Sequence, residues 1–216
     1  MRLIVRDGKK LKRERERELD WWRSVHVDAE GMHESSRNLE RAMRELENLG
    51  LPNRILEIGT GGNAFVNFMD FEGRATVEPL LGQMVKEEIG VFSPEVDWIQ
   101  GMGENLPFAD GTFGYAILFN VLDHTLNPAA VLRKTRRVLS KSGVLHFMVD
   151  TYGKAFQTYR RVRPDPKHPH TFTAVNVEQL MERSGFFPAK VREDPKPVGW
   201  RRRFKIRRYY LARNTI

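Results

Sequence analysis

Cysteine is absent from the 216 residues, which excludes disulfides, thiolate metal sites and a cysteine nucleophile, and fits a cytoplasmic chain. No run of about 18 apolar residues occurs, so no helical membrane span is expected. The opening stretch MRLIVRDGKKLKRERERELDWW has no apolar core followed by a small-residue cleavage site, so it does not read as a secretory signal. Internal repeats and low-complexity linkers are missing as well.

What remains is a chain with 40% hydrophobic residues, enough to bury the core of one domain with elaborations. Its net charge of +8 arises from 36 basic and 28 acidic residues. Six of the basic residues, Arg201, Arg202, Arg203, Lys205, Arg207 and Arg208, crowd one segment. Such a segment can draw nucleic acid, anionic lipid or a phosphorylated small molecule. A solvated strand with outward arginines explains it more simply, so nucleic acid is the less favoured partner.

Residues 10–30 are charged, with Glu14, Arg17 and Glu18 at helical spacing and Trp21 and Trp22 closing the run. They read as an exposed helix with an aromatic anchor. A second helix is expected over about 34–49, where Leu39, Ala42, Met43, Leu46 and Leu49 recur at helical period, with Gly50 and Pro52 as stop signals. From Arg54 strands and helices alternate. Arg54–Ile58 is a strand, followed by the Gly59–Gly62 turn and a helix through Phe65, Val66 and Met69. Arg74–Val77, Asp97–Gln100 and Tyr115–Phe119 read as further strands, with a helix around Leu80–Ile89. Asn127-Pro128 starts a helix, and Gly143 is expected to cap it before a fifth strand, Val144–Val149. This alternation predicts an open, mostly parallel α/β sheet with helices on both faces. After a helix over about 174–184, Phe186–Glu193 and Phe204–Ala212 read as two strands joined by DPKPVGW, too close for a crossover and therefore antiparallel.

Ligands of open α/β sheets sit beyond the carboxyl ends of the strands. Gly59, Gly61 and Gly62 permit a tight turn there, and Glu78 ends the second strand with a carboxylate able to accept from both hydroxyls of a ribose. The turn alone is compatible with any nucleoside-bearing cofactor. Further on the chain reads GMGENLPFADGTFGYAILFNVLDHTLNPAAVLRKTRRVLSKSGVLHFMV. Leu106-Pro107-Phe108, Leu122-Asp123-His124, Pro128 and Arg137-Val138-Leu139, together with HPHTFTAVNVEQLMERSGF from His168 to Phe186, resemble in order and spacing the class I S-adenosylmethionine-dependent methyltransferases of the small-molecule type. The resemblance covers about Arg54–Ala212 and is specific as a set.

That resemblance implies a Rossmann-like, seven-stranded, mostly parallel sheet with an antiparallel last strand. The helices before Arg54 lie outside the resemblance and read as an extension over 1–53 on the lid or acceptor side of a cofactor-binding domain over 54–216. The resemblance also implies direct methyl transfer from S-adenosyl-L-methionine to a small-molecule acceptor. By position, Glu57, Gly59, Thr60, Gly61 and Asn63 would surround the methionine end and ribose. Glu78 would hold the ribose hydroxyls, Pro79 and Leu80 would lie along the adenine, and Met102, Gly103 and Glu104 would border it. Asn120 would stand near the sulfonium. Three positions depart from the family pattern. Asn63 replaces a glycine, and asparagine tolerates left-handed angles. Met102 replaces an aspartate that contacts adenine, leaving that task to Glu104 or to backbone carbonyls. Gly114 replaces the aspartate of a Phe-Asp pair.

A base is needed only where the acceptor must lose a proton early; His124, His168 and His170 are the candidates. Asp165 with His168 and His170 lacks further ligands for a metal, so none is expected. Trp21, Trp22, Tyr152, Phe156 and Tyr159 could line an acceptor pocket or belong to the core. Arg160, Arg161 and Arg163 make an anionic acceptor a natural choice. Methylation of RNA or protein, and a non-catalytic binding protein on the same fold, stand as alternatives. A dehydrogenase leaves the Leu-Pro-Phe turn and the antiparallel closing strands without a role.

Overall fold

Strands rich in apolar residues on both faces build the centre of the molecule. In the computed structural model, which describes residues 8–24, 29–45, 51–163, 165, 168–194 and 205–214, seven strands form one sheet. They are β1 Arg54–Ile58, β2 Gly73–Glu78, β3 Asp97–Gln100, β4 Phe113–Phe119, β5 Leu139–Tyr152, β6 Phe186–Glu193 and β7 Lys205–Asn214, in the order β3-β2-β1-β4-β5-β7-β6. The first five run parallel, and β7 lies antiparallel between β5 and β6. The expected architecture is therefore present. Strand order reverses between β1 and β4, which places the ligand-binding crevice at their carboxyl ends.

The helices are α1 Gly8–Arg23, α2 Ala29–Arg44, α3 Leu81–Lys86, α4 Pro128–Val138, α5 Lys154–Val162 and α6 Ala174–Arg183. Among the described residues, no helix is long and apolar enough to cross a membrane. Asn127 caps α4 by accepting from the Ala130 N–H at 3.0 Å, and Val131, Leu132, Thr135 and Val138 form its buried stripe. From the last turn of α4, Arg137 donates to the carbonyls of Leu106 at 2.9 Å and Phe108 at 2.7 Å. This ties the Leu-Pro-Phe turn to the Arg-Val-Leu helix end and explains why the two motifs occur together. Thr173 and Asn176 form a capping box on α6, and Gly185 (φ +82°) ends it in the left-handed region.

Two expected details differ. Only a single 3-10 turn, Phe65–Phe68, lies between β1 and β2, with no α-helix. The crossover is too short to cover that face of the sheet, and α2 covers it instead. Leu39 and Met43 pack with Ile55, Val66, Met69, Phe71, Tyr115 and Ile117. Gly143 does not cap α4. The Leu139 N–H closes that helix on the Thr135 carbonyl, and β5 begins there, with a register shift against β4 between the Phe113↔Leu139 and Tyr115↔Val144 pairs. Gly143 lies in that irregular stretch, where a Cβ would stand 2.9 Å from the Ser140 carbonyl oxygen. The expected stop at Leu46–Gly50, residues 195–200 of the DPKPVGW turn and Arg201–Phe204 lie outside the described residues.

Met43 is fully buried beneath the sheet. Met43→Ala should therefore destabilise the protein by about 2–5 kcal/mol. Urea unfolding checks this, and a loss below about 1 kcal/mol would mean that α2 is not part of the core.

Candidate active site

The glycine turn after β1 is pinned by an acid from β2. Gly59 (φ +69°) and Gly61 (φ +57°) adopt left-handed angles, and a Cβ on Gly59 would stand 2.6 Å from Val121 Cγ2. The Glu78 carboxylate accepts from the Gly61 N–H at 2.9 Å through Oε2 and from the Leu80 N–H at 2.8 Å through Oε1. Glu57, also buried, accepts from the Val66 N–H at 3.1 Å, and the Thr60 hydroxyl donates to the Gly61 carbonyl at 3.1 Å. Burial pushes Glu57 up to about 8 and Glu78 up to about 7, with the backbone donors acting in the opposite direction.

The remaining expected residues gather around this cradle. Asn63 is not left-handed: its N–H donates to the Thr60 carbonyl at 3.3 Å, and the asparagine with a positive φ is Asn120, at +55°, just past β4. The side-chain oxygens of both asparagines are buried without a hydrogen-bond partner. Gly103 packs closely on Ile58 and Val131, while Glu104 is turned toward α4, accepting from the N–H groups of Leu126 (2.8 Å) and Asn127 (3.1 Å). A turn without Cβ atoms at Gly59, Gly61 and Gly62, a carboxylate with lone pairs to spare and two orphaned amide oxygens suit a ligand rich in hydroxyl and amino donors.

Helix α1 is not an exposed helix. Arg15, Glu18, Leu19 and Trp22, spaced i, i+3, i+4 and i+7, face the carboxyl end of the sheet. Trp22 lies on the glycine turn, where a Cβ on Gly61 would stand 1.8 Å from Trp22 Cζ2. Leu19, buried, packs with Leu80 and Met84, and Arg15 Nη2 donates to Met102 Sδ at 3.1 Å. At the helix end Arg23 makes two solvent-exposed bonds to Glu87, at 2.7 and 2.8 Å. Trp21, by contrast, is exposed and makes a T-shaped ring contact with Trp22.

Two of the three candidate histidines come together, and they do so around an acid that sequence reasoning passed over. Asp123 is only 4% exposed. His124 Nε2 stands 3.9 Å from its Oδ1 and His168 Nε2 3.9 Å from its Oδ2, with the two rings 4.6 Å apart. His168 Nδ1 is bonded to Asp165 Oδ2 at 3.1 Å, and Arg160 donates to that same oxygen at 2.7 Å. Burial raises the Asp123 carboxyl above its ordinary range, against the pull of His124 and His168. Glu18 of α1 is raised by burial too and feels the charges of this cluster. His170 stands apart, its Nε2 2.9 Å from the Thr125 carbonyl oxygen. Tyr152 stacks on Phe156 beside the cluster, and burial lifts its phenol to about 12. The only hint of Asp123 was its place beside His124 within Leu-Asp-His.

On β7, Lys205 and Arg207 pair with the buried Asp150, and Arg208 pairs with Glu193. The described part of the basic segment is thus neutralised within the sheet.

Glu57 and Glu78 hold protons in the folded state that the unfolded chain releases near 4.5, so they favour folding at low pH and lose that contribution as pH rises toward 8. His146, buried and depressed to about 4, acts oppositely, but only up to its unfolded value of 6.5. Between pH 6.5 and 8 the two acids therefore act unopposed by His146, and the melting temperature should fall across that window, less steeply in Glu57→Gln. Differential scanning calorimetry at stepped pH provides the check. A ligand entering the cradle must also dislodge Trp22 from Gly61. Titration with S-adenosylhomocysteine should therefore change tryptophan emission, and Trp22→Phe should remove most of the change.

Comparison with known proteins agrees with this arrangement. Residues 30–190 match a family described as a methyltransferase domain. Over 68 residues the chain is 40% identical to the mitochondrial 2-methoxy-6-polyprenyl-1,4-benzoquinol methylase of Leishmania donovani, a match covering 31% of this chain and 23% of that protein. It is 33% identical over 137 residues to an uncharacterized protein of Mycobacterium tuberculosis, covering 61% of this chain and 46% of the other. The chain thus spans less than half the length of either relative. Among solved structures, the YcgJ protein of Bacillus subtilis superposes with a TM-score of 0.59 at 14% identity, over 85% of this chain and 98% of that one, which shows a shared fold. Since the family match covers most of the sequence and the sheet order, glycine turn and acid-ended second strand accompany it, the chain belongs to the methyltransferase-domain family.

Proposed function

We propose that this chain is an S-adenosylmethionine-dependent methyltransferase acting on a small molecule. The observation that carries the reading is the Gly59–Gly61 turn bonded to Glu78 at the point where strand order reverses. Bound there, the cofactor supplies a methyl group activated by a positive sulfur. Glu57, Gly59, Thr60, Gly61 and Asn63 would hold its methionine end and ribose, with Glu78 accepting from the ribose hydroxyls. Pro79, Leu80, Met102 and Gly103 would flank the adenine, and Asn120 would border the methyl. Glu104, engaged with the Leu126–Asn127 turn, shapes that wall from behind.

Within the 1–53 extension, α1 is the lid in this reading, lifting Trp22 and Leu19 for entry and afterwards shutting water out, whereas α2 belongs to the core. Residues 54–216 hold the reacting groups. The acceptor would enter beside Asp123, His124, His168, Tyr152 and Phe156, where alignment supplies the larger part of the acceleration, on the order of 7–11 kcal/mol at best. His124 or His168 would receive a proton where the acceptor carries one, adding about 10²–10⁴-fold. His170 is already committed to the Thr125 carbonyl. The name of the Leishmania relative gives a polyprenyl-substituted benzoquinol, which is a small molecule and not a macromolecule. Arg161 and Arg163, both exposed, could attract an anionic acceptor, since Arg160 is bonded to Asp165.

Calorimetric titration of S-adenosylhomocysteine into the protein and into Glu78→Ala tests the assignment. Loss of hydrogen bonds to a carboxylate should weaken binding about 10- to 100-fold. Absence of binding to the unaltered chain would leave a methyltransferase fold without its cofactor, and equal affinity would remove Glu78 from the site.

A further inference from the structure

We propose that Asp123, His124 and His168 bind a single divalent transition-metal cation on the acceptor side of the cleft. Each residue offers one ligand atom, and the three atoms lie within 4.8 Å of one another. The grouping is not that of a hydrogen-bonded acid–base dyad. Both histidine Nε2 atoms stand 3.9 Å from an Asp123 oxygen, beyond hydrogen-bond reach, and Asp123 Oδ1 is buried with no hydrogen-bond partner. A buried anionic oxygen without a donor is costly to retain, whereas a cation between the three groups satisfies it directly. Bonds of about 2.0–2.1 Å put tetrahedral ligand atoms about 3.4 Å apart, so inward shifts of roughly an ångström or less complete the site.

The surroundings supply what a ligand histidine needs. His168 Nδ1 is bonded to Asp165 at 3.1 Å, and Asp165 is held by Arg160 at 2.7 Å. With Nδ1 donating to a carboxylate, the Nε2 lone pair is left pointing at Asp123 and His124, the relay that orients metal-bound imidazoles. This reverses the expectation from sequence, which found Asp165 and two histidines short of ligands. Asp165 acts behind His168, and Asp123 is the missing anionic ligand. Two imidazoles and one carboxylate leave coordination positions open and suit zinc or ferrous iron better than magnesium or calcium.

An open position on such a cation fits an oxygen-bearing acceptor. A hydroxyl bound there would release its proton to solvent and keep the electron pair on oxygen, which replaces proton transfer to His124 or His168, since both Nε2 lone pairs would then be on the cation. This last role rests on the methyltransferase reading, whereas metal binding does not.

The test uses the full chain, stripped of metal and titrated with Co²⁺ as a spectroscopic probe. Expected are visible absorption bands saturating at one equivalent and displaced by Zn²⁺. His168→Ala and Asp123→Asn should bind Co²⁺ at least about 100-fold more weakly, and Asp165→Asn about 10- to 100-fold more weakly, with unchanged circular dichroism. A spectrum no different from that of cobalt in buffer overturns the proposal. So does Co²⁺ affinity unaltered in folded Asp165→Asn and His168→Ala. Calorimetry with S-adenosylhomocysteine on the same samples reports the cofactor site separately, so failure of one reading does not disguise failure of the other.

Discussion

The bond between the Glu78 carboxylate and the Gly61 amide is the constraint on which the site depends. It joins the turn after β1 to the end of β2 and fixes the left-handed turn in the orientation that a ligand would meet. Its second oxygen, bonded to the Leu80 N–H, also sets the start of α3 and hence the position of Leu80 and Met84. One carboxylate thus determines both the floor and one wall of the crevice. Removing bulk water from this group raises its proton affinity, so the same burial that organises the cleft makes its charge sensitive to whatever lies above it.

What lies above it is α1. The helix presents a cation to Met102, an acid to the Asp123 cluster, an aliphatic side chain to Leu80 and an indole to Gly61. Each of these contacts touches a different part of the cleft, so movement of one helix changes the whole site at once. Among its described side chains Leu19 and Trp22 supply the apolar hold, packing with Leu80, Met84, Ile89 and Phe92, while the bidentate Arg23–Glu87 pair at its end is solvent-exposed and adds little. In the proposed function this helix is the element that entry of the cofactor would have to displace.

Much of this was legible in the sequence because local rules and tertiary demands agreed. The apolar run of β4, the Asn127 cap and the pairing of the two closing strands follow from period, capping and connection length. The reading failed where contacts are made between segments far apart. The inner stripe of α1 contains Arg15 and Glu18, so its periodicity resembles a solvated face, and nothing in it announces that Trp22 meets Gly61. The crossover after β1 carries Phe65, Val66 and Met69 at helical spacing, yet those residues serve as a platform for α2. Asp123 and Asp165 gained meaning only when the fold set one beside both histidines and the other behind His168.

The position of β7 has a consequence for biosynthesis. Because β7 separates β5 from β6 in space but follows β6 in the chain, β6 emerges from the ribosome with no neighbour to join. Until β7 is made, β5 offers an open edge of apolar residues such as Val144, Phe147 and Val149, and any other extended chain could dock there. The outer edge of the sheet, two strands of seven, thus stays provisional until a strand carrying Lys205, Arg207 and Arg208 arrives. Of the six charges that suggest a binding surface, Lys205, Arg207 and Arg208 are the ones that pair this keystone strand with Asp150 and Glu193.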